Sequence, residues 1–444
     1  MTKKLAIRSA IWTVCGYGTG QVLRFGSNLI LTRLLVPEYF GLMTVVNTLR
    51  IGIELFSDIG ILQSIVNNKR GDEPVFLNTA WTLQTIRGVI LWLFLLIVTL
   101  PISTFYHDQR LLWLIPIAGM SSILDGFCST SLYTLHRRLQ LGKLIRFDLI
   151  VQVLTLATII IWSLLSPGLY ALAFGVIAGS VYKMVGSHWL IRGYSNRFTW
   201  DRDAVLEILT FAKWMFVASA VMFLNDQADR LILAKLLSFQ VLGVYTIAYA
   251  LAGIPREVVK QLGYKVIFPT IANHIDLPRS SLREKILRQR RIMLIGFAFL
   301  LAILVTLGDL VISALYDQRY SEATWMMPIL SCGVWFSVLF YTISPALMAI
   351  GKPMYAAQSN LAGFLVIGLG LPLAFFNFGT VGAIVLIALS DMPLYFVNLY
   401  GLGREKLLTI VQDIQCTAFF VGVLALFLFI RSYLGFGIPI HAIL

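Results

Sequence analysis

The chain has 444 residues, of which 58% are hydrophobic and only 13% charged, and its mean hydropathy is +0.82. No water-soluble domain of this length needs so much apolar surface, so the composition excludes a soluble enzyme or binding module and indicates an all-α polytopic membrane protein. The formal net charge of +13 would suit nucleic acid, but the basic residues sit in alternate loops between apolar runs, which is a topology signal and leaves no nucleic-acid partner to expect.

Runs able to cross roughly 30 Å of hydrocarbon as helices recur along the whole chain, and none alternates as a barrel strand would. Spans are expected at residues 11–34, 40–65, 83–105, 111–135, 147–166, 169–192, 209–235, 241–267, 292–316, 325–350, 355–377, 379–401 and 411–432. Lys3 and Lys4 precede the first run as in a signal peptide, but no small-residue cleavage site follows, so this run is kept as span one. The first six spans form an N-terminal lobe over residues 1–200, the next six a C-terminal lobe over 201–402, and residues 403–444 carry the additional C-terminal transmembrane segment or segments. The polar stretch Arg192 to Glu207 joins the lobes, and the basic segment Asp276 to Arg291 reads either as an amphipathic helix on the membrane surface or as a charged loop. Lys69 and Arg70, Arg137 and Arg138, Lys143, Arg146, Arg197, Lys352, Arg404 and Lys406 all fall on one side, which places the N-terminus in the cytoplasm. An odd number of spans leaves the C-terminus outside, unless residues 438–444 begin a fourteenth.

The chain repeats itself. Leu29-Ile30-Leu31-Thr32-Arg33-Leu34-Leu35 aligns without a gap with Leu231-Ile232-Leu233-Ala234-Lys235-Leu236-Leu237, about 202 residues later. Ile102-Ser103-Thr104-Phe105-Tyr106 with Asp108-Gln109-Arg110 returns as Ile312-Ser313-Ala314-Leu315-Tyr316 with Asp317-Gln318-Arg319, and Gly142-Lys143 returns as Gly351-Lys352. Each copy holds an even number of spans, so the copies run parallel, and a carrier with its binding site between them is the expected architecture.

An ionisable group near the bilayer centre costs about 2.5–3.5 kcal/mol on insertion scales, so each one needs a partner or a wet cavity. Arg24 and Arg50 lie roughly 15 and 16 Å below the outer ends of spans one and two at 1.5 Å per residue, and an arginine fork suits phosphate oxygens. Glu54 and Asp58 follow Arg50 at spacing four and share its face of span two. Overlaying the repeats puts Asp226 at the position of Arg24, Arg256 at that of Glu54 and Lys260 at that of Asp58, each with inverted charge. Two readings follow: these groups face one another across the lobes, or Arg50 pairs with Glu54 in its own helix while Arg256 and Lys260 snorkel to the interface. Arg87, Asp125 and Lys183 are further cavity candidates, ranked lower because a single charge more often marks an interface. Asn225, Asp226, Asp229 and Arg230 form a polar cluster in span seven, with Asp229 and Arg230 expected to fix the end of a repeated helix.

Cys15, Cys128, Cys332 and Cys416 lie in apolar spans without metal-ligand spacing and read as packing residues. Gly16, Gly18 and Gly20 alternate inside an apolar helix and not after a strand, and neither Gly-Lys pair has phosphate-loop spacing, so no nucleotide cofactor is expected. Work must come from a proton or sodium gradient or from the lipid cycle. The aromatic residues read mostly as lipid-facing or interface anchors, with Trp12, Tyr17 and Trp214 of spans one and seven the candidates for stacking on sugar rings.

The segment Leu31-Thr32-Arg33-Leu34-Leu35-Val36-Pro37-Glu38-Tyr39-Phe40-Gly41-Leu42, the run Asn225 to Leu237 followed by Gly243-Val244-Tyr245, and Gly351-Lys352-Pro353 resemble a polysaccharide flippase of the O-antigen and colanic-acid type. That branch belongs to the multidrug, oligosaccharidyl-lipid and polysaccharide exporter superfamily. The resemblance covers nearly the whole chain and implies a V-shaped pair of six-helix bundles in the bacterial inner membrane. It also implies alternating access that carries an undecaprenyl-diphosphate-linked oligosaccharide from the inner to the outer leaflet, with membrane lipids and polysaccharide polymerase or assembly proteins as partners. Members often have fourteen spans, a pattern this chain meets only in part. The resemblance maps the family's cationic cavity onto Arg24 and Arg50 by their position in the span. An ion-coupled multidrug or cation exporter of the same fold is the alternative, kept alive by Asp226, Glu54 and Asp58. A membrane glycosyltransferase, ligase or polymerase would need a substantial outer loop for its catalytic groups, and none is present, so the chain is not expected to be an enzyme.

Overall fold

A computed structural model describes residues 2–191 and 195–439. The described residues are helical with no strand, and the chain divides into two units, Met1–Ala220 and Val221–Leu444. The first contains α1 (Thr2–Leu34), α2 (Pro37–Phe56), α3 (Ile61–Asn67), α4 (Pro74–Tyr106), α5 (Leu111–Gly126), α6 (Ser131–Arg137), α7 (Leu141–Leu165) and α8 (Leu169–His188), and the division falls within α9 (Arg202–Leu236). The second continues with α10 (Phe239–Ala252), α11 (Ile254–Leu262), α12 (Phe268–Ala272), α13 (Arg279–Leu315), α14 (Ala323–Ala349), α15 (Met354–Leu365), α16 (Leu371–Leu389), α17 (Asp391–Arg404) and α18 (Ile410–Tyr433). Among the described residues, seven helices are long and apolar enough to cross a membrane, or eight if the bent α5–α6 pair is one span. The other expected spans are also helical.

Two expected spans are broken. Span two was expected to run to residue 65, but α2 ends at Phe56 and Gly60 adopts the left-handed conformation (φ 69°) before α3 starts. The backbone N–H of Gly60 donates to Asp58 Oδ1 at 2.9 Å, so Asp58 builds the turn. It therefore does not share a helix face with Arg50 and Glu54, because a short carboxylate competes well for backbone N–H groups outside a helix. Span four is bent by 59° between α5 and α6. There Gln84 Nε2 donates to the freed carbonyls of Asp125, Gly126 and Cys128 at 2.9, 3.0 and 3.2 Å, which makes a buried helix break tolerable. The segment Asp276 to Arg291 is neither a separate surface helix nor a loop: from Arg279 onward it forms the first turns of α13, continuous through Leu315.

In the first unit α4 packs on α5, α5 on α8, and α7 on both α1 and α8. The α4–α5 crossing is close because Gly88 and Gly126 meet there: a Cβ on Gly88 would lie 2.5 Å from the Ser122 carbonyl oxygen. In the second unit α14 is the central post, with 78% of its most apolar window buried. Val338, Ile343 and Ala346 of α14 pack with Leu294 and Leu301 of α13 in one apolar core. Gly379 (φ 63°, ψ −152°) takes a conformation open only to glycine and divides the long apolar run into spans eleven and twelve.

The internal repeat is visible in local detail. α1 and α9 end, and α2 and α10 begin, at the same offset of about 202 residues. Arg110 and Arg319 each fork back onto the aspartate two residues earlier, Asp108 and Asp317, whose Oδ1 also accepts the arginine backbone N–H at 2.8 and 3.0 Å. Lys143 Nζ donates to the Leu190 carbonyl, and Lys352 pairs with Glu405 at 3.4 Å, so each repeated lysine reaches the end of the sixth long helix of its copy.

The thirteenth expected span, α18, is part of the second unit. Gln412 of α18 meets Leu287 of α13 at one end and Arg431 pairs with Asp309 at the other, so the two helices run side by side in the same direction. Between these contacts the fully buried Arg290 pairs with Asp413 at 2.7 Å. Asp413 Oδ2 also accepts the hydroxyls of Tyr395 at 2.9 Å and Thr409 at 2.8 Å, which satisfies a charge pair withdrawn from solvent.

Candidate functional site

In the first unit, charges from three helices form one chain. Arg50 NH1 lies 2.9 Å from Glu54 Oε1, one turn further along α2, and 4.0 Å from Asp125 Oδ2 of α5; Asp125 Oδ1 in turn lies 3.2 Å from Lys183 Nζ of α8. Arg87 of α4 joins through backbone and hydroxyl oxygens instead of a carboxylate: its NH2 donates to the Glu54 carbonyl at 2.6 Å and its Nε to Ser57 Oγ at 3.0 Å. The guanidinium thus caps the C-terminal end of α2, where helix carbonyls lack partners and the dipole favours a cation. Among the described residues, buried Arg50 Nε has no hydrogen-bond partner.

Glu54, Arg87, Asp125 and Lys183 line a cavity of about 370 Å³, joined by Asp148 of α7 and by Tyr133. Lys183 is 43% exposed and Arg50 22%, so the chain of charges is open enough to exchange partners. The cavity presents both signs. Arg87 and Lys183 face Glu54, Asp125 and Asp148, with Arg50 behind Glu54. Arg24 stands apart on α1: it is exposed, does not line this cavity, and forms no ion pair with a described residue. Because α2 begins at Pro37, Arg50 lies roughly 20 Å from the start of its helix, deeper than the 16 Å read from the expected span.

The second unit holds a separate cluster. Arg256 NH2 pairs with Asp391 Oδ2 of α17 at 3.1 Å, its Nε donates to Ser337 Oγ of α14 at 3.0 Å, and its NH1 donates to Tyr249 OH at 2.6 Å. Arg230 and Arg256 both lie 5.4 Å from the Tyr249 ring centroid, and Lys260 lies 5.8 Å from that of Tyr341, distances suited to cation–π attraction. The snorkelling read for Arg256 is therefore replaced by an internal ion pair, and Lys260 rests on a tyrosine face. Asp226 accepts from Asn225 at 3.1 Å. Asp229 ties α9 to α10 by accepting from Tyr245 OH at 2.6 Å, while Arg230 donates to Gln227 one turn earlier in α9 at 2.6 Å and reaches α10 over the Tyr249 ring.

The structure brings Arg50, Glu54, Arg87, Asp125 and Lys183 together in one unit and Arg256 and Lys260 near tyrosines in the other. Asp391 is the partner that the sequence did not reveal, since it sits inside an apolar run; its charge within a span was the available signal. Trp12 packs on Gly142 beneath the Arg146 guanidinium, and Tyr17 OH accepts from Gln21, so both have neighbours in their own unit. The Trp214 side chain and Arg192 lie outside the described residues.

Two helical units built on one repeat, with ionised groups set within membrane-length helices, define a multi-pass membrane protein of the transporter fold. A lipid II flippase, MurJ, in an inward closed conformation has that fold, with a TM-score of 0.73 at 14% identity, covering 94% of this chain and 92% of that one. The chain belongs to the polysaccharide biosynthesis protein family, whose sequence profile matches residues 30–325. Relatives include the teichuronic acid biosynthesis protein TuaB of Bacillus subtilis (strain 168), 21% identical over 87% of this chain and 79% of that protein. Another is the succinoglycan biosynthesis transport protein ExoT of Rhizobium meliloti (strain 1021), 21% identical over 79% of this chain and 70% of that protein.

Proposed function

We propose that the protein is a flippase for lipid-linked oligosaccharide, taking an undecaprenyl-diphosphate-linked substrate from the inner to the outer leaflet of a bacterial plasma membrane by alternating access, with its N-terminus in the cytoplasm. The observation that carries this reading is the linked series Glu54, Arg50, Asp125 and Lys183, partly exposed within apolar helices of a chain from this family. An empty carrier cannot leave bare cations inside the bilayer, because the desolvation cost is too high. Glu54 and Asp125 therefore act as resident counter-ions for Arg50 and Lys183. A diphosphate offers the same cations more oxygens in a bidentate geometry and displaces the carboxylates. Arg24 lies outside this cavity on α1, exposed and with no described ion-pair partner, and is assigned to the same diphosphate once substrate is bound. The work of transport comes from a proton or sodium gradient or from consumption of the lipid on the far side, and the chain itself is not an enzyme.

Loss of surface polysaccharide export tests this. Arg24→Ala and Arg50→Ala should each abolish export in a strain that depends on this chain, with the variant present in the membrane at the normal level. Normal export by both removes the diphosphate clamp. The three carboxylates of the cavity, Glu54, Asp125 and Asp148, favour one second reading, an ion-coupled exporter of organic cations. It predicts efflux of cationic dyes that Asp125→Asn eliminates, and the flippase reading predicts no such efflux.

A further inference from the structure

We propose that the groove between the first turns of α13 and α18 is a binding site for an anionic phospholipid, with its phosphate on Arg288 and Arg291 and an acyl chain along the apolar floor. The groove encloses about 730 Å³ and lies wholly within the second unit. Arg283, Arg288 and Arg291 line it against the single acidic residue Glu284. Arg288 and Arg291 are exposed and make no hydrogen bond or ion pair with a described residue. Arg283 is held differently: its Nε donates to the Leu408 carbonyl at 2.7 Å and braces the mouth.

Three features select a lipid over a soluble anion. Glu284, Arg288, Arg291 and Ile295 recur at three- and four-residue spacing and so form one stripe of α13. Along that stripe the polar residues give way to Ile292, 77% exposed, and Ile295, while α18 supplies Val411 and Phe419. At 1.5 Å per residue, Ile295 sits about 6 Å further along the axis than Arg291, the step from a phosphate to the first methylenes of an acyl chain. The buried Arg290–Asp413 pair and the Gln412 to Leu287 bond fix the helix spacing, so the groove is a standing feature and not an accident of two loose helices. The N-terminal end of α18 adds its dipole to the same mouth. A basic pocket between helices at one membrane face is the setting in which acidic headgroups are recognised.

Native mass spectrometry on the full-length chain in neutral detergent tests the proposal, with phosphatidylglycerol, phosphatidylcholine and inorganic phosphate added separately and in competition. The account expects phosphatidylglycerol adducts that phosphatidylcholine does not match and that equimolar inorganic phosphate does not displace. Arg288→Gln with Arg291→Gln should weaken them by roughly 30-fold, whereas lysine at both positions should retain most of the binding. Elution volume and melting temperature in lipid-free detergent report folding. Should the double variant fail there, Arg291→Gln alone should weaken binding by about 5-fold. Unchanged adducts in the glutamine variants, equal retention of phosphatidylcholine, or displacement by inorganic phosphate would each overturn the assignment. None of these residues lines the first-unit cavity, so that outcome would leave the translocation reading standing.

Discussion

Replacing Asp413 by alanine should be the most damaging single change to the second unit. Arg290 is 0% exposed, and its carboxylate partner is 3% exposed at the side chain, so neither can turn to water when the other is lost. Removing Asp413 strands a guanidinium in the core and takes the acceptor from Tyr395 and Thr409. Breaking a buried pair from one side costs about 3–5 kcal/mol. At about 2–4 °C per kcal/mol for a unit of this size, the melting temperature should fall by on the order of 6–20 °C. Arg290→Met combined with Asp413→Leu removes both charges and fills similar volume, and it should recover most of that loss, since an apolar replacement of a buried pair is often neutral. Thermal unfolding of the purified chain in one detergent, followed by loss of the monodisperse species, measures all three proteins. A drop below about 1 °C for Asp413→Ala, or a double variant less stable than the single, would refute the argument that this pair is buried and mutually dependent.

Other consequences follow from single contacts. Arg87→Ala leaves the Glu54 carbonyl with the Ser57 hydroxyl in place of a charged donor and should cost about 1–3 kcal/mol while raising protease sensitivity of the 57–60 turn; equal stability and digestion would show that Arg87 does not cap α2. Gly88→Ala places a Cβ 2.5 Å from the Ser122 carbonyl and should lower thermal stability by about 1–3 kcal/mol as α4 and α5 separate, and an unchanged melting temperature would contradict the close crossing. In the loop before α4, hydrogen bonding from Arg137, reinforced by Arg138, holds the Asp72 carboxyl below its ordinary range. Its folded pKa is depressed, so its contribution to stability is present above about pH 4 and fades as pH falls through the folded value. The group is about half exposed, so the effect is at most about 1 kcal/mol. Asp72→Asn should be slightly less stable than wild type at pH 7, with the gap closing in strong acid; a gap that widened on acidification would reverse the sign assigned to this pair.

Much of the fold was legible because span length and repetition are set by the bilayer and by duplication, both of which leave marks in sequence. The residues at which α2 and α10 start match at the repeat offset, and the Asp108–Arg110 fork recurs at Asp317–Arg319. The break after Phe56 was not legible, because Ile59, Ile61 and Leu62 keep the run apolar, while the turn itself rests on the Asp58 carboxylate and on left-handed Gly60 just before α3. Arg290 was hidden within a basic stretch that reads as a solvated face. Its spacing of four from both Ile286 and Leu294 put it on the buried stripe, a periodicity that outweighs local charge once the partner Asp413 is known. The site was legible as charges in the wrong solvent. Their partners were not, since Asp125 and Lys183 meet Arg50 only through the packing of α2, α5 and α8.

Reconstitution into vesicles with a fluorescent undecaprenyl-diphosphate-linked oligosaccharide confined to one leaflet offers the most direct test of the central claim. Wild-type chain should bring the glycan to the opposite leaflet, where an impermeant glycosidase or quencher reaches it, and Arg50→Ala, inserted to the same level, should not. Equal translocation by Arg50→Ala, or none by wild type under an imposed proton or sodium gradient, would contradict the account.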